Sequence, residues 1–407
     1  MNKKNILVGQ SGGPTAVING SLYGVICEGA RHSDAVGCVY GMINGIEGFL
    51  ADSYMNLSET LSDDDLELLR LTPAAYLGSC RFKLPENLSD SFYRVLFEKL
   101  ERLDIGYFFY IGGNDSMDTV SKLSRYAAQI KSPIRFIGIP KTIDNDLVLT
   151  DHTPGYGSAA RYVAASIREI ALDASVYQQK SVTIVEIMGR HAGWLTAASV
   201  LARKFENDNP VLIYLPESAF NTDTFIEDVK KALEHTSNLV VCVSEGINDG
   251  NGTFICELAS DVGVDTFGHK MLTGSGKYLE NLVKEKLGVK VRSIELNVNQ
   301  RCSSSMISAT DQEEAIQAGI SGVHFALDGI TGKMIAFHRT EGADYSINYV
   351  PEDVNLICNQ EKTVPPEWIT GNGSDIGQAF IDYALPLIQG IVNVPEENGL
   401  PKFAYRK

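Results

Sequence analysis

The chain has 407 residues, more than the roughly 250–300 at which a single hydrophobic core stops growing, so two domains are predicted. Its 44% hydrophobic and 21% charged residues are typical of an ordinary soluble globular protein. The formal net charge of −16 argues against nucleic acid or anionic membranes as partners, and an anionic ligand would need a local cluster of Arg and Lys.

The N-terminal segment and the cysteines indicate the compartment. No apolar run approaches the ~20 residues that span a bilayer, and MNKKNILVGQSGG lacks the longer apolar region of a signal peptide. The seven cysteines are scattered without a CxxC pair, and the seven histidines form no HxxxH pair. These features predict a cytoplasmic protein with reduced thiols, and they argue against a zinc site.

Strand-like apolar runs alternate with helical patterns through most of the chain, which predicts βαβ units around a parallel sheet. The predicted strands are Asn5–Val8, Tyr107–Ile111, Ile134–Ile139, Val182–Ile187, Val211–Leu215 and Leu239–Val243. The predicted helices include Met117–Ile130, Ser158–Leu172 and Asp375–Leu385. Ser62 is expected to cap a further helix that begins with an acidic run. The turn-rich segment Thr150–Gly157 is the predicted domain boundary.

Two glycine turns follow predicted strands. Gly12-Gly13 comes after the first strand, and Gly112-Gly113 comes after the strand that ends at Ile111. Backbone N–H groups at such turns, together with a helix N-terminus, bind oxyanions. GQSGGPT matches neither a Walker A motif nor a dinucleotide-binding fingerprint. One glycine turn is as often structural as functional, but two in one chain favour a phosphate site.

The segment Pro140–Asp146 gathers a cation, a hydroxyl and two carboxylates directly after an apolar strand. One interpretation is a capped turn in which Asp and Asn side chains satisfy their own backbone. The other assigns one carboxylate as a general base and the second to magnesium or to orientation. Phosphoryl transfer to a hydroxyl group needs both, beside cations that balance the phosphate charge.

Further polar residues follow other apolar strands. Arg190 offers a planar fork to a phosphate or carboxylate, and Glu245 could accept hydrogen bonds from sugar hydroxyls. Arg292 and Arg301 add cations later in the chain. Each has an alternative as an ordinary charge at the end of a strand, but their shared position makes a common binding site the better interpretation.

These residues resemble the phosphofructokinase family. The matching stretches, in family order, are SGG (11–13), LGSCRF (77–82), GGNDS (112–116), PKTIDND (140–146), VEIMGR (185–190), SEG (244–246) and NQR (299–301). The resemblance implies a cytoplasmic, magnesium-dependent kinase of glycolysis, a transferase that phosphorylates the 1-hydroxyl of fructose 6-phosphate. It implies an α/β fold of two similar doubly wound (Rossmann-like) domains with the active site in the cleft between them. The expected phosphoryl-donor domain is 1–155 plus about 300–345, and the sugar-phosphate domain is 156–299 plus about 346–407.

The resemblance also implies residue roles. Asp144 is the expected base for the sugar hydroxyl, Thr142 and Asp146 flank it, and Arg292 is expected from a neighbouring subunit, which implies a homodimer or homotetramer. The implied catalytic residues are Asp144, Lys141, Thr142 and Asp146. The implied substrate-binding residues are Thr142, Ile143, Asp144, Met188, Gly189, Arg190, Glu245, Arg292 and Arg301. Gly12 and Arg81 belong to the donor side, and Asn114 to the metal side.

Two positions indicate the phosphoryl donor. ATP-dependent members of the family carry Gly where this chain has Asp115 and Lys141, so the chain resembles the pyrophosphate-dependent branch. An Asp and a Lys fill the space of a nucleotide's α-phosphate and ribose, the carboxylate repels that phosphate, and the Lys adds a cation for pyrophosphate. The alternatives are an ATP-dependent 6-phosphofructokinase, a lipid or NAD kinase, and a non-catalytic sugar-phosphate-binding protein.

Three positions depart from the family pattern. Asn114 stands where many relatives have a magnesium-binding Asp, although an amide oxygen can still coordinate. Ser181 stands where ATP-dependent bacterial relatives place an intersubunit Arg, and Val298 where relatives often have His or Tyr beside the sugar. Sedoheptulose 7-phosphate therefore remains an alternative acceptor.

Overall fold

In a computed structural model, residues 3–205, 207–258, 274–342 and 344–406 are described. The chain divides into two compact units. The first unit comprises Met1–Tyr156, Arg301–Glu361 and Gly390–Lys407, and the second comprises Gly157–Gln300 and Lys362–Gln389. Among the described residues, no helix has the length and apolar character needed to cross a bilayer.

The described residues form strands and helices in alternation. The strands are β1 Lys4–Gln10, β2 Val36–Met42, β3 Tyr54–Asn56, β4 Ile105–Gly112, β5 Arg135–Pro140, β6 Ser181–Ile187, β7 Leu212–Tyr214, β8 Asn238–Ser244, β9 Lys290–Glu295, β10 Lys333–Arg339, β11 Ile347–Asp353, β12 Ile369–Thr370, β13 Asp375–Ile376, β14 Glu396–Glu397 and β15 Leu400–Pro401. The helices are α1 Ile18–Arg31, α2 Gly45–Leu50, α3 Leu57–Thr60, α4 Asp63–Leu71, α5 Ser91–Arg102, α6 Asn114–Ile130, α7 Tyr156–Ser175, α8 Trp194–Ala197, α9 Thr222–Ala232, α10 Ser275–Leu287, α11 Asn299–Cys302, α12 Ala309–Leu327 and α13 Gln378–Ala384. Short 3₁₀ turns lie at Ala198–Ala202, Ile255–Leu258, Ser304–Met306, Val354–Leu356, Pro366–Trp368 and Leu385–Ile388.

The predicted strands are all confirmed, and none of their ends shifts by more than two residues. The Ser62 cap is confirmed as a full capping box, in which the Ser62 hydroxyl accepts from the Asp65 N–H and the Asp65 carboxylate accepts from the Ser62 N–H. The predicted helix Asp375–Leu385 is wrong at its start. Its first residues pair as β13 with β12, so the helix begins only at Gln378.

The sheet of the first unit has the strand order β11-β10-β5-β4-β1-β2-β3 in the described part of the chain. Its central strands are parallel, and β3 and β11 add antiparallel edges. From the adjacent pair β1 and β4 the sheet winds outward in both directions. This is a topological switch point, and in open α/β sheets ligands bind there, beyond the carboxyl ends of the strands.

Alternate residues of these strands are buried on the two faces of the sheet, as a doubly wound fold requires. Leu7, Phe108 and Phe136 pack with α5 and α6 on one face. Ile6 and Phe109 pack with α1 and α12 on the other. The two helix layers thus hold the strand ends in place from both sides.

The second unit has a four-stranded parallel sheet of order β7-β8-β6-β9 within the described residues. Here β6 lies between β8 and β9, so the turns that follow β6 and β8 emerge side by side. The core under this sheet combines strand residues with α9 and α10, and includes Ile184, Val241, Phe225 and Leu279. The outer strand β9 is only partly covered.

The C-terminal segment divides between the units differently from the predicted domains. Residues 301–361 and 390–407 pack with the first unit, and only 362–389 pack with the second. The reason is a strand pairing, because β11 extends the first sheet as the antiparallel neighbour of β10. The sequence predicts instead that the whole of about 346–407 belongs to the sugar-phosphate domain.

Helices α1 and α12 pack unusually closely because glycines face each other. A Cβ atom added at Gly24 would lie 2.2 Å from the carbonyl oxygen of Ile316. One added at Gly319 would lie 2.2 Å from the carbonyl oxygen of Ser21. Any side chain at either position would push the two backbones apart.

We expect opposite effects from two Gly→Ala substitutions within α12. Gly319→Ala should destabilise the protein by about 1–3 kcal/mol, because the backbone oxygen of Ser21 cannot move aside. Gly322→Ala should stabilise it by up to about 1 kcal/mol, because Ala has a higher helix propensity than Gly. The added Cβ would meet only side-chain carbons of Ile139 and Phe109, at 3.4–3.6 Å. Thermal unfolding of both variants tests this, and a lower midpoint for both would contradict it.

Candidate active site

The two glycine turns of the first unit lie at its switch point. β1 pairs with β4 up to Gln10, and the Ser11 N–H then donates to the carbonyl of Ile111 at 3.0 Å. Gly12 has φ +78°, a conformation that favours glycine. Its N–H donates to the carbonyl of Cys80 at 3.4 Å, which brings the segment before Arg81 alongside the turn.

Lys141 joins the two turns from the end of β5. Its backbone N–H donates to the carbonyl of Gly112 at 3.0 Å, and its ammonium donates to the carbonyl of Gly13. The residue is 3% exposed, and a Cβ at Gly12 would lie 3.4 Å from its Nζ. A buried cation therefore lies directly beneath the first glycine turn.

The charges around Lys141 have both signs. Burial lowers the pKa of Lys141 to about 8, the carboxylates of Asp144 and Asp146 oppose that decrease, and Arg301 and Arg81 add to it. A Cβ at Gly13 would lie 3.2 Å from Arg301 Nη1, which places this Arg beside the turn as well. The structure thus brings together three cations and two carboxylates that the sequence predicted for one site.

The segment after Lys141 is folded so that its two Asp residues are held in defined positions. The Asp144 N–H donates to Thr142 Oγ1 at 3.0 Å, and that hydroxyl lies 3.3 Å from Asp144 Oδ2. Asn145 is fully buried with φ +55°, and its Oδ1 accepts from the Thr153 N–H at 3.1 Å. Ile143, which lies between Thr142 and Asp144 in the sequence, is also buried. The residue between the two carboxylates therefore has a left-handed backbone and a side chain fixed by the segment at Thr153.

Asp115 and Asn114 lie in the first turn of α6. The Asp115 side chain is 59% exposed, and the ammonium of Lys83 lies 4.0 Å from its Oδ1. Both amide atoms of Asn114 are engaged, because Nδ2 donates to the carbonyl of Gln360 and Oδ1 accepts from the Asn359 N–H. Asn114 therefore ties the segment at 359–360 to the start of α6.

The predicted sugar-binding turns of the second unit are in direct contact. The Gly189 N–H donates to Glu245 Oε1 at 3.3 Å, and the Ser244 hydroxyl donates to the Gly189 carbonyl. A Cβ at Gly246 would lie 1.8 Å from the carbonyl oxygen of Arg190, so SEG requires its glycine to pack against MGR. Met188 donates its N–H to Gln300 Oε1 at 3.2 Å.

The side chain of Arg190 contains a buried hydrogen-bond donor. Its Nε is buried and has no hydrogen-bond partner among the described residues. An unsatisfied buried donor on a cation costs free energy, and a bound anion or hydroxyl would remove that cost. This supports the predicted binding role of Arg190.

Arg292 does not join this group within its own unit. It lies opposite Thr183 in the β6–β9 pairing, five residues before Met188, which corresponds to roughly 16 Å along the strand. Its guanidinium is 3.6 Å from Asp173 and lines a shallow cavity of about 260 Å³. Ser181 lies still farther from Met188 along β6 and bonds Asn238 at 3.2 Å, and Val298 is exposed.

Three residues that position the site are not predicted as functional by the sequence. Asn145, Ser244 and Gln300 lie inside motifs that were recognised, but their side chains bond backbone groups rather than project from a strand end. Burial of a polar side chain is not visible in a single sequence. Their location within recognised motifs was the one available signal.

A switch-point glycine turn, a buried cation and paired carboxylates define a phosphate-binding α/β protein with groups suited to phosphoryl transfer. The pattern of the family described as "PFK: Phosphofructokinase" matches residues 5–326. The pyrophosphate--fructose 6-phosphate 1-phosphotransferase of Rhodospirillum rubrum is 41% identical over 393 residues, which cover 95% of each chain. A sulfofructose kinase of Alkalicoccus urumqiensis is 31% identical over 96% of each chain.

A solved structure, the pyrophosphate-dependent phosphofructokinase of Marinobacter aquaeolei, is 39% identical. It superposes with a TM-score of 0.89, over 98% of this chain and 95% of the other. The chain therefore belongs to the phosphofructokinase family, and it is a phosphotransferase with the α/β fold that the sequence predicted.

Proposed function

We propose that this protein transfers a phosphoryl group from pyrophosphate to the 1-hydroxyl of fructose 6-phosphate, reversibly, giving fructose 1,6-bisphosphate and phosphate. The observation that carries the proposal is the buried ammonium of Lys141 beneath the Gly12-Gly13 turn, beside two carboxylates. In this proposal the protein acts in glycolysis or gluconeogenesis, in the cytoplasm.

In the proposed reaction, the Asp144 carboxylate accepts the proton of the sugar 1-hydroxyl. The hydroxyl oxygen forms a bond to the terminal phosphorus of pyrophosphate, the bond to the bridging oxygen breaks, and phosphate leaves. Lys141 and Arg81 offset the negative charge on the transferring group. Met188, Gly189, Arg190 and Glu245 bind the sugar phosphate, and Arg301 lies within reach of the donor turn.

The donor preference rests on two side chains. Lys141 fills the space under Gly12 and supplies a fixed cation there. Asp115, exposed at the start of α6, adds a negative charge that disfavours the further phosphate of a nucleotide. Arg81 and Arg301 complete a positive local field in a chain of net charge −16.

The donor atoms at the strand ends suit magnesium. Asp144 and Asp146 offer carboxylate oxygens, and Asn114 Oδ1 retains a second lone pair beyond its bond from Asn359. Hard oxygen donors of this kind bind Mg²⁺, which also keeps waters and substrate phosphate oxygens. When bound, Mg²⁺ neutralises charge on the phosphates.

The position of Arg292 supports an oligomer. Because this residue lies roughly 16 Å along the strand from Met188, we infer that it serves the 6-phosphate site of a neighbouring subunit in a homodimer or homotetramer. The same region exposes Leu172, Val176 and Tyr177 at the end of α7. Exposed apolar side chains of this kind are typical of subunit contacts.

The deciding experiment compares pyrophosphate with ATP as donors for fructose 6-phosphate at matched magnesium concentration. We expect turnover with pyrophosphate and little with ATP, and a large preference for ATP would refute the donor assignment. Sedoheptulose 7-phosphate and sulfofructose serve as competing acceptors. Higher kcat/KM for either than for fructose 6-phosphate would refute the acceptor assignment.

The pKa of Lys141 predicts a pH dependence. With a pKa of about 8, its ammonium loses the proton as the pH rises through 8, so kcat/KM for pyrophosphate should fall on the alkaline side. Bound pyrophosphate favours the protonated form and should move the corresponding limb of kcat to higher pH. Lys141→Arg keeps its charge, and the ratio of wild-type to variant kcat/KM cancels the ionisation of the substrate itself. A pH-independent ratio would contradict the prediction.

A further inference from the structure

Three side chains with no part in the proposed reaction meet at the surface of the first unit. Glu28 lies in the last turn of α1, His32 directly follows that helix, and His324 lies in the last turn of α12. The Nε2 atoms of His32 and His324 are 3.1 and 2.7 Å from the same oxygen, Glu28 Oε1. We propose that this His–His–Glu cluster binds a transition-metal dication of the Zn²⁺ class and clamps α1 to α12.

The ligand atoms lie close to the spacing that such an ion requires. Tetrahedral bonds of about 2.0–2.2 Å place neighbouring ligand atoms roughly 3.3–3.6 Å apart. The two Nε2 atoms and the Glu28 oxygen lie within 4.8 Å of one another. The two Nε2–Oε1 distances of 3.1 and 2.7 Å are those of hydrogen bonds, so they must lengthen by about 0.2–0.9 Å when an ion replaces these bonds. The rings of His32 and His324 are perpendicular with centroids 5.7 Å apart, so both nitrogens can face one point. Three protein ligands leave a fourth position for water.

The surrounding groups hold the carboxylate ready. The Glu28 side chain is only 7% exposed, and its second oxygen, Oε2, accepts from Arg31 at 2.9 Å. This bond fixes the carboxylate and leaves Oε1 turned toward the histidines. The charge of Arg31 opposes a bound cation, but its pairing with Oε2 places the ligand oxygen in advance of binding.

The helices themselves favour a cation at this point. α1 and α12 run side by side in the same direction. Two successive contacts show this, since Gly24 lies against Ile316 and, one turn later in α1, Glu28 lies against His324. Their C-terminal ends therefore meet at the cluster, and each end carries a partial negative charge. A metal there would join two helices that the sequence separates by 296 residues at the contact.

The ligand set distinguishes this site from the magnesium chemistry of the reaction. Imidazole nitrogen favours Zn²⁺, Ni²⁺, Co²⁺ and Cu²⁺, whereas Mg²⁺ favours oxygen donors. The 14-residue helix α1 is about 21 Å long, and the donor turn precedes its other end. We therefore expect the metal to change stability and to leave the turnover number unchanged.

The test uses the full-length protein after removal of metals with a chelator, titrated with Zn²⁺ and, in parallel, with Co²⁺. One equivalent per chain should bind, and the thermal midpoint should rise with the concentration of metal. His32→Gln and His324→Gln should each weaken binding by ~10-fold or more and reduce the rise in midpoint, with kcat unchanged. Bound Co²⁺ should lack the intense near-ultraviolet absorption of a thiolate ligand.

His338→Gln is the matched control. His338 is 48% exposed and lies 3.5 Å from Glu352, but among the described residues no second histidine joins this pair. Its loss should leave metal affinity unchanged. The proposal fails if His32→Gln and His324→Gln bind Zn²⁺ as tightly as the wild type, or if thiolate absorption shows that cysteines hold the metal.

Discussion

Asp144→Asn is expected to lower kcat by ~10²–10⁴-fold while pyrophosphate still binds. The substitution preserves the local geometry, because an amide can still accept from the Thr142 hydroxyl, 3.3 Å from Asp144 Oδ2, and the Asp144 N–H bond to Thr142 is unaffected. What it removes is the group that accepts the proton of the sugar hydroxyl. Since the reaction is reversible, both directions should slow by the same factor at equilibrium-matched concentrations.

The measurement pairs steady-state kinetics in both directions with calorimetric binding of pyrophosphate. Asp144 also opposes the decrease in the pKa of Lys141, so the variant should be assayed below neutral pH, where Lys141 keeps its proton. Asp118→Asn is the control, because it removes a carboxylate of the same unit that pairs with Lys122 away from the strand ends. An Asp144→Asn enzyme with wild-type kcat would remove Asp144 from the mechanism.

Local features of this fold were predictable from the sequence. The strands before Gly12, Gly113 and Lys141 are short apolar runs with a glycine or proline at their end or within two residues of it, and both signals lie within a few neighbouring residues. The Ser62 cap is equally local, because its partner Asp65 is three residues away. The same local reasoning failed at Asp375, where pairing with Thr370 outweighed an apolar pattern that suits a helix.

Contacts across long sequence separations were not predictable. The sequence contains Lys141 and the glycine turn, but the bond from its ammonium to Gly13 spans 128 residues and depends on the order of β5, β4 and β1. The pairing of β11 with β10, which moves part of the C-terminal segment into the first unit, depends on the same sheet order. Absence of a HxxxH pair argued against zinc, yet the fold brings His324 to Glu28 and His32.

Replacement of Lys141 should separate its charge from its volume. Lys141→Met fills nearly the same space without the ammonium, and we expect kcat/KM for pyrophosphate to fall by ~10²-fold or more, on the scale of a lost preorganised charge. The Gly13 carbonyl also loses its donor, so the thermal midpoint must be measured beside the rate. ATP should remain a poor donor for this variant, because the space beneath Gly12 stays filled.

The double variant Asp115→Gly with Lys141→Gly should behave differently from Lys141→Met. It empties the space under Gly12 and removes the negative charge at the start of α6, so turnover with ATP should rise while turnover with pyrophosphate stays low. Lys141→Arg, which keeps a cation but not its compact shape, should retain more pyrophosphate activity than Lys141→Met. If Lys141→Met keeps the wild-type rate with pyrophosphate, the buried ammonium serves the turn alone, and the donor preference must come from other residues.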